Sequence, residues 1–393
     1  MPNSDYSLKE VIQVEACTNC MLCAEVCPAV SATKNGCLSG VHRLHELRRL
    51  FRSRAGIFKR FFSGAQDEGT LKDFSETVYR CTLCGRCQEV CPAGISLKDI
   101  WLSLRQDLVH SNTFPGKVTM IKENVLNSHN VFDEDNEERA EWVEDLDDPP
   151  EHGHIKDSAE VVYFTGCVSA YFPMAQQIPM SLVEIFEAAD VDFTLLGEDE
   201  YCCGFPFLGA GLRDQFDELI RHNVEAVKSK NADKVVFACP SCYRMWKEYY
   251  PPEFELYHVT QFIKQRLLPE KLKFKTIDRV VTYHDPCDLG RGSREYDAPR
   301  DIIKAIPGIK LVEMEKNREN CACCGGGGNL EMIDQELSKE IASEKISQVM
   351  VTGADSVITA CQQCVRTMKG YTRRNKIKLE VLDIVELLKK ALA

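Results

Sequence analysis

Twenty of the 393 residues are cysteine, and their spacing says more than their number. CTNCMLCAEVCP (Cys17, Cys20, Cys23, Cys27) and CTLCGRCQEVCP (Cys81, Cys84, Cys87, Cys91) share the pattern C-x2-C-x2-C-x3-C-P. YCCGFPF from Tyr201 and CACCGGGGN from Cys321 each hold an adjacent cysteine pair followed by glycine. ADKVVFACPSC from Ala232 and ADSVITACQQC from Ala354 end in C-x2-C. Thiolates are soft ligands, and cysteines at such intervals in a large chain point to metal or redox centres rather than a disulfide scaffold.

The doubled pattern is similar to that of bacterial ferredoxins, which hold two 4Fe-4S clusters. Three thiolates on one tight loop reach three corners of a cube. The fourth cysteine, followed by proline, is expected to start a helix that carries it to the other cluster. That crossing predicts Cys17, Cys20, Cys23 and Cys91 on one cubane cluster, and Cys81, Cys84, Cys87 and Cys27 on the second. A pair of zinc sites is the competing reading, because zinc also takes four thiolates. Cys37 lies outside the pattern and is expected as a small buried hydrophobe.

Between Val41 and Phe62 the residues Arg43, Arg48, Arg49, Arg52, Arg54, Lys59 and Arg60 are opposed by Glu46 alone. The same stretch carries Leu44, Leu47, Leu50, Phe51, Ile57, Phe58, Phe61 and Phe62, too apolar for a purely solvated helix. It is expected to contact another protein of a complex; a solvated face and an interfacial helix on anionic lipid are the alternatives. From Asp133 to Glu151 nearly every second residue is acidic, which reads as a solvated linker.

Beyond the linker the chain repeats itself. Matching cysteines recur after 120, 121 and 122 residues (Cys167 to Cys287, Cys203 to Cys324, Cys239 to Cys361), the mark of a duplicated unit. VVYF, KVVFA, VVTY and SVITA have the length of buried parallel strands, and the runs from Leu212 and Leu330 have the period of amphipathic helices. The cysteines follow the strands, where α/β folds place their ligands. Each repeat supplies five: Cys167, Cys202, Cys203, Cys239 and Cys242, then Cys287, Cys323, Cys324, Cys361 and Cys364. Five ligands with two adjacent suggest a larger or bridged iron-sulfur centre, since neighbouring side chains in extended backbone point opposite ways. Glycines after the pair would let backbone approach closely and aim N–H groups at sulfur.

The two five-cysteine patterns, with YHDPCDLGR from Tyr283, resemble the cysteine-rich CCG domain. A two-cluster module followed by two such domains resembles the D-type polypeptide of heterodisulfide reductase. The resemblance implies a noncubane 4Fe-4S centre on each five-cysteine set, the pair reducing a disulfide such as the coenzyme M–coenzyme B heterodisulfide across a cleft. Relatives of the same layout carry electrons from a flavoprotein towards quinone, as in glycolate oxidase and glycerol-3-phosphate dehydrogenase. Both functions stay open, and a zinc scaffold is a third. His284 is a candidate proton donor or a structural histidine. Arg291, Arg294 and Arg366 are candidate clamps for an anionic substrate or ordinary surface arginines. Cys321 is a structural thiol or an alternative ligand.

The expected fold is an α+β ferredoxin-type, mostly helical module at 1–132, a linker at 133–155, and a duplicated α/β CCG domain at 156–275 and 276–393. No G-x-G-x-x-G follows a strand, so no flavin or nicotinamide is expected on this chain, and electrons would come from a flavoprotein or membrane cytochrome partner. The formal charge of −12 argues against nucleic acid. MPNSDYSLKE has no signal-peptide character and no run is apolar enough to span a membrane, so the expected location is cytoplasmic, or peripheral on the cytoplasmic membrane face through a partner.

Overall fold

The computed structural model describes residues 6–54, 68–151, 153–268 and 270–393; Ile57, Phe58, Lys59, Arg60, Phe61 and Phe62 of the basic stretch lie outside these. The chain divides into two compact units. One comprises Met1–Lys122, Pro206–Gln215 and Ala322–Glu344; the other comprises Glu123–Phe205, Phe216–Cys321 and Lys345–Ala393.

In the first unit every described element is helical, so no strand stands beside the helices of the expected α+β module. Helix Leu8–Glu15 starts at a capping box, in which Ser7 accepts from the Glu10 N–H and Glu10 reaches back to Ser7. Helix Leu97–His110 buries Ile100, Trp101, Leu104 and Leu108 on one stripe. Helix Gly40–Arg54 turns Leu44, Leu47 and Leu50 inward. That half of the basic stretch therefore packs within its own unit. Cys27 caps helix Pro28–Thr33, with Pro28 in the first turn, as the C-P pair predicts. Cys91 does not do the same. Cys91–Pro92 enters a turn closed by the Gly94 N–H on the Cys91 carbonyl at 3.0 Å, with Gly94 at φ +62°, and the next helix begins only at Leu97.

The second unit contains two four-stranded parallel sheets. Strands β1 (Val161–Phe164), β2 (Phe193–Thr194), β3 (Lys234–Phe237) and β4 (Glu255–His258) lie in the order β2-β1-β3-β4. Strands β5 (Arg279–His284), β6 (Ile309–Leu311), β7 (Ser356–Thr359) and β8 (Glu380–Asp383) repeat that order as β6-β5-β7-β8. β1 registers Val161 opposite Lys234, and β5 registers Val281 opposite Ser356. Both central strands of each sheet are apolar and buried throughout or nearly so, as strands covered on two faces must be. A single hydrophobic cluster takes Tyr163 and Phe186 from the first repeat and Tyr283, Ile358 and Leu387 from the second.

The acidic segment differs from a solvated linker. Asn136–Asp145 winds into 3-10 turns, and Trp142, Val143 and Leu146 join that cluster while Glu137, Glu138, Glu141 and Glu144 stay exposed. Its composition is acidic on one side only. The apolar residues at 142, 143 and 146 gain more from burial than the chain loses by being ordered.

Candidate metal centres

The two ferredoxin-type motifs build two pockets in the first unit. Cys17, Cys20, Cys23 and Cys91 line one of about 360 Å³. Cys27, Cys81, Cys84 and Cys87 line the other, of about 420 Å³. The pockets bring the eight cysteines together in the same two sets of four that the spacing suggests. The electrostatics follow the same sets: burial pushes the Cys23 thiol up, with further repulsion from Cys17, Cys20 and Cys91. Burial pushes Cys27 up to about 11, with Arg43 pulling it back and Cys81 and Cys84 adding to the rise. Gly40 separates the pockets, since a Cβ there would sit 3.5 Å from Cys23 Sγ and 3.7 Å from Cys87 Cβ. Cys37 is exposed rather than buried: its N–H is held by Asn35 Oδ1 at 3.0 Å in a short turn that points it outward.

Two buried arginines stand beside the second pocket. Arg43 gives two hydrogen bonds to the Thr77 carbonyl, at 3.1 and 2.7 Å. Arg105 donates to the carbonyls of Gly328 (2.9 Å), Val78 (3.0 Å) and Cys81 (2.8 Å), and to that of Gly209. Neither has a carboxylate partner among the described residues. A buried cation without a counter-ion is costly, and an anionic group on Cys27, Cys81, Cys84 and Cys87 would supply one. The residues present therefore fit an iron-sulfur cluster.

The glycines after Cys323 and Cys324 explain themselves here. A Cβ on Gly328, at φ +61°, would lie 2.5 Å from the Cys81 carbonyl oxygen, and one on Gly327 would lie 2.6 Å from that of Thr82. The glycines thus let the chain press against the Cys81–Thr82 loop, while the Gly325 N–H reaches Cys323 Sγ at 3.4 Å. Close approach was legible in the sequence, but what is approached was not.

In the second unit the cysteines sit at topological switch points. β2 and β3 flank β1 on opposite sides, so a crevice opens beyond the carboxyl ends of β1 and β3. Cys167 follows β1, and Cys239 follows β3 as the N-cap of helix Pro240–Tyr249, which also carries Cys242. With Cys202 and Cys203 they form a chain of sulfur contacts, Cys167–Cys202–Cys203–Cys242–Cys239, all buried. Hydrogen bonds from Cys202 and Cys242 hold Cys203 down to about 6, and the bond from Cys242 lowers Cys239. Cys242 is pushed well up by its bonds to Cys203 and Cys239 and by burial. Five sulfurs this close suit a shared metal core.

Arginines hold the first cysteine of each repeat. Arg139 Nη2 lies 3.4 Å from Cys167 Sγ, and Arg291 Nη2 lies 3.1 Å from Cys287 Sγ. Glu200 pairs with Arg139 (3.5 Å) and accepts from the Thr165 and Gly166 N–H groups at 2.7 and 2.8 Å. Sequence reasoning missed the role of Arg139 and Arg105, and placed Arg43 only in the basic stretch expected to contact a partner, whereas it is buried. The available signal was an arginine alone among acids for Arg139, and an arginine on the apolar stripe of a helix for the other two.

The motif loops of the two repeats are tied together. Gln362, which follows Cys361, donates to the Thr165 carbonyl at 2.7 Å, and its Oε1 lies 3.3 Å from where a Gly166 Cβ would be. In return Ser241 and Arg244 hold Asp288, next to Cys287, at 2.9 and 3.2 Å. Cys287, Cys361 and Cys364 belong to this unit, whereas Cys323 and Cys324 belong to the other.

The remaining candidates divide. His284 is fully buried at the end of β5 with Nδ1 3.5 Å from Cys321 Sγ, and Lys345 Nζ lies 3.5 Å from the same sulfur. Burial would raise the Cys321 thiol, but Lys345 and His284 outweigh it and bring it to about 6. Arg291 also binds the carbonyls of Glu319 and Cys321, at 3.0 and 2.9 Å. Arg366 lies over the rings of Phe172 and Phe132, and Arg294 is exposed. No helix among the described residues is long and apolar enough to cross a membrane.

Comparison with known proteins agrees with this architecture. Residues 13–95 match the 4Fe-4S dicluster domain family, and residues 161–247 and 281–369 match the cysteine-rich domain family. The chain is 34% identical to the D-type polypeptide of the dihydromethanophenazine:CoB–CoM heterodisulfide reductase of Methanosarcina acetivorans, covering 98% of this chain and 95% of that one. It is 26% identical to the EtfAB:quinone oxidoreductase of Syntrophomonas wolfei, over 99% of this chain and 59% of that protein. A probable iron-sulfur-binding oxidoreductase of Bacillus subtilis is 27% identical over 98% of this chain and 60% of its own length.

Proposed function

This chain belongs to the family of heterodisulfide reductase D-type polypeptides, which are iron-sulfur oxidoreductase components, and from that premise we propose that it reduces a disulfide at paired centres built by its two CCG repeats. Cys17, Cys20, Cys23 and Cys91, with Cys81, Cys84, Cys87 and Cys27, would hold two cubane clusters. Cys167, Cys202, Cys203, Cys239 and Cys242, with Cys287, Cys323, Cys324, Cys361 and Cys364, would hold two noncubane ones. When bound, these groups supply single electrons at potentials tuned by their surroundings. The reaction takes two electrons and two protons, breaks one S–S bond and releases two thiols.

The observation that carries this reading is the mutual hydrogen bonding of the motif loops, Gln362 to Thr165 and Ser241 with Arg244 to Asp288. It holds the switch-point loops of both repeats to each other, as two centres sharing one substrate require. Arg139 and Arg291 orient Cys167 and Cys287 and offset the charge that collects on sulfur.

The second reading, an electron-transfer component feeding or draining a flavoprotein and quinone, is favoured by the likeness to the Syntrophomonas wolfei oxidoreductase over 99% of this chain. Anaerobically purified chain should hold about sixteen irons on a 4Fe stoichiometry. Reduced with dithionite, it should cleave the coenzyme M–coenzyme B heterodisulfide or simpler disulfides, and Cys203→Ala and Cys324→Ala should each abolish cleavage with the cubane signals retained. Fully loaded, reduced protein that leaves every disulfide intact but passes electrons to a quinone-linked partner would establish the second reading instead.

A further inference from the structure

The two pockets of the ferredoxin-type module differ in charge. The wall formed around Cys17, Cys20, Cys23 and Cys91 is completed by residues such as Met21, Val41, Leu44 and Ile95, and among the described residues no charged side chain lines it. Arg48 comes near, donating to the Val14 and Cys17 carbonyls at 2.7 and 3.3 Å, but Glu15 lies 3.4 Å from its guanidinium and offsets it. The pocket of Cys27, Cys81, Cys84 and Cys87 is lined by Arg43, Arg86 and Lys98. Arg43 is buried, and among the described residues its hydrogen-bond acceptor is a carbonyl, that of Thr77. Arg86 likewise donates to a carbonyl, that of Val26, at 2.8 Å. Behind the loop, Arg105 adds a further buried guanidinium on the Cys81 carbonyl.

An iron-sulfur group gains a negative charge on reduction, and nearby cations favour the reduced form. A cation in a buried site without a carboxylate beside it keeps most of its field, whereas a paired one loses it to its partner. We propose that Arg43, helped by Arg86, makes the second pocket the more oxidising of the two, so that electrons run from the Cys17–Cys20–Cys23–Cys91 site to the Cys27–Cys81–Cys84–Cys87 site. One electron leaves the first group and one arrives at the second; no bond is made or broken and no proton is needed. Exposure gives the order an entrance. Cys20 and its neighbours Met21 and Leu22 are exposed at the first pocket, whereas Cys84 and Leu83 at the second are buried.

This rests on the cubane assignments above and concerns only their relative potentials. The test is an EPR-monitored redox titration of the full, cluster-loaded chain with dithionite, mediators and ferricyanide. Cys20→Ser and Cys84→Ser variants assign each signal to its site. At any fixed potential the reduced-to-oxidised ratio at the second site should exceed that at the first by about tenfold or more, which is about 59 mV for a one-electron couple. Arg43→Gln keeps a donor for Thr77 and removes the charge. It should lower the second site's ratio about tenfold, the effect of one unit charge about 10 Å away at an effective dielectric near 20, and lower the first site's ratio by a smaller factor, because Arg43 lines the second pocket and not the first. Arg86→Gln, on the same pocket wall, should act in the same direction and covers the case in which Arg43→Gln does not fold. Arg49→Gln, on the exposed side of the same helix, should move neither. Equal midpoints, a reversed order, or a second-site midpoint unmoved by both variants would overturn the proposal with the clusters in place. Protein that binds no iron at these eight cysteines would overturn the cubane assignments, and the proposal with them.

Discussion

Alanine substitution in the glycine run can separate strain from collision. Gly353 lies at φ +68° with nothing within 4 Å of an added Cβ, so alanine there adds left-handed strain alone. That strain is about 1–2 kcal/mol, less about 0.4–1 kcal/mol recovered from the unfolded chain, for a net loss of about 1 kcal/mol. Gly327 lies outside the left-handed region, and its Cβ would meet the Thr82 carbonyl oxygen at 2.6 Å. Pushing apart packed backbone costs about 1–3 kcal/mol. Gly328 combines both, with φ +61° and contacts of 2.5 Å to the Cys81 oxygen and 2.8 Å to the Thr82 carbon, so its loss should be about 2–4 kcal/mol. Gly36→Ala, with neither strain nor contact, is the baseline. The assay is hydrogen exchange at residues 79–86 together with iron retention at the second cubane-type site. Protection should fall in the order Gly36→Ala, Gly353→Ala, Gly327→Ala, Gly328→Ala, with iron lost only in the last two. A Gly328→Ala protein no more perturbed than Gly353→Ala would refute the close approach to the Cys81 loop.

Other substitutions read other parts of the site. Gly166→Ala, at φ +78° with a Cβ 3.3 Å from Cys242 Sγ, should lower iron at the first CCG site while leaving the cubane signals unchanged, as metal analysis with EPR would record. Asp285→Asn weakens a buried pair with Arg300 held by contacts of 2.7 and 2.9 Å, while Glu313 still pairs with Arg300 at 2.6 and 3.0 Å, so chemical denaturation should show a loss of about 1.5–3 kcal/mol. His258 caps the helix after β4 by accepting the Thr260 N–H on Nδ1, and burial lowers its pKa from 6.5 to about 3. Because the unfolded chain takes up the proton first, stability should fall by about 1.4 kcal/mol per unit as pH drops from about 6.5 towards 3. His258→Gln should flatten that slope in thermal melts across the same range.

The periodic features were legible because each has a local cause. Buried parallel strands read as short apolar runs, and VVYF, KVVF, VVTY and SVIT are all strands. The repeat offset predicted two like sheets, and placing cysteines after strands predicted their arrival at switch points. Cys37, the linker and the turn after Cys91 were misread because composition cannot report which side of a segment is buried. Trp142 and Val143 among acids, or Gly94 two residues after Pro92, decide those cases through a few atoms. Residues 206–215 and 322–344 packing with the N-terminal module was not readable either, since no motif spacing links Tyr79 Oη to the Ala210 carbonyl, 2.9 Å away.

The buried arginines show why ligand counting falls short of a functional reading. Arg43, Arg105 and Arg139 sit within hydrophobic surroundings that a helical or charge pattern would assign to leucine. Each is stable there only if something nearby is negative. For Arg139 that partner is present, as Glu200 at 3.5 Å together with the Cys167 sulfur at 3.4 Å. For Arg43 and Arg105 the described hydrogen-bond partners are carbonyl oxygens, which carry partial charge only, and the Trp101 and Tyr79 rings lie 5.9 and 4.9 Å from the two guanidinium carbons. The four thiolates, with an anionic group held by them, would supply that counter-charge. The dependence runs both ways. Arg105→Met should relax the metal-free protein by removing an unpaired buried cation, yet loosen the cluster-loaded one. The sign of its effect on stability should therefore reverse between the two forms in paired thermal melts. A loss of equal size in both would mean that the carbonyls alone hold Arg105, and that its charge has no part in the site.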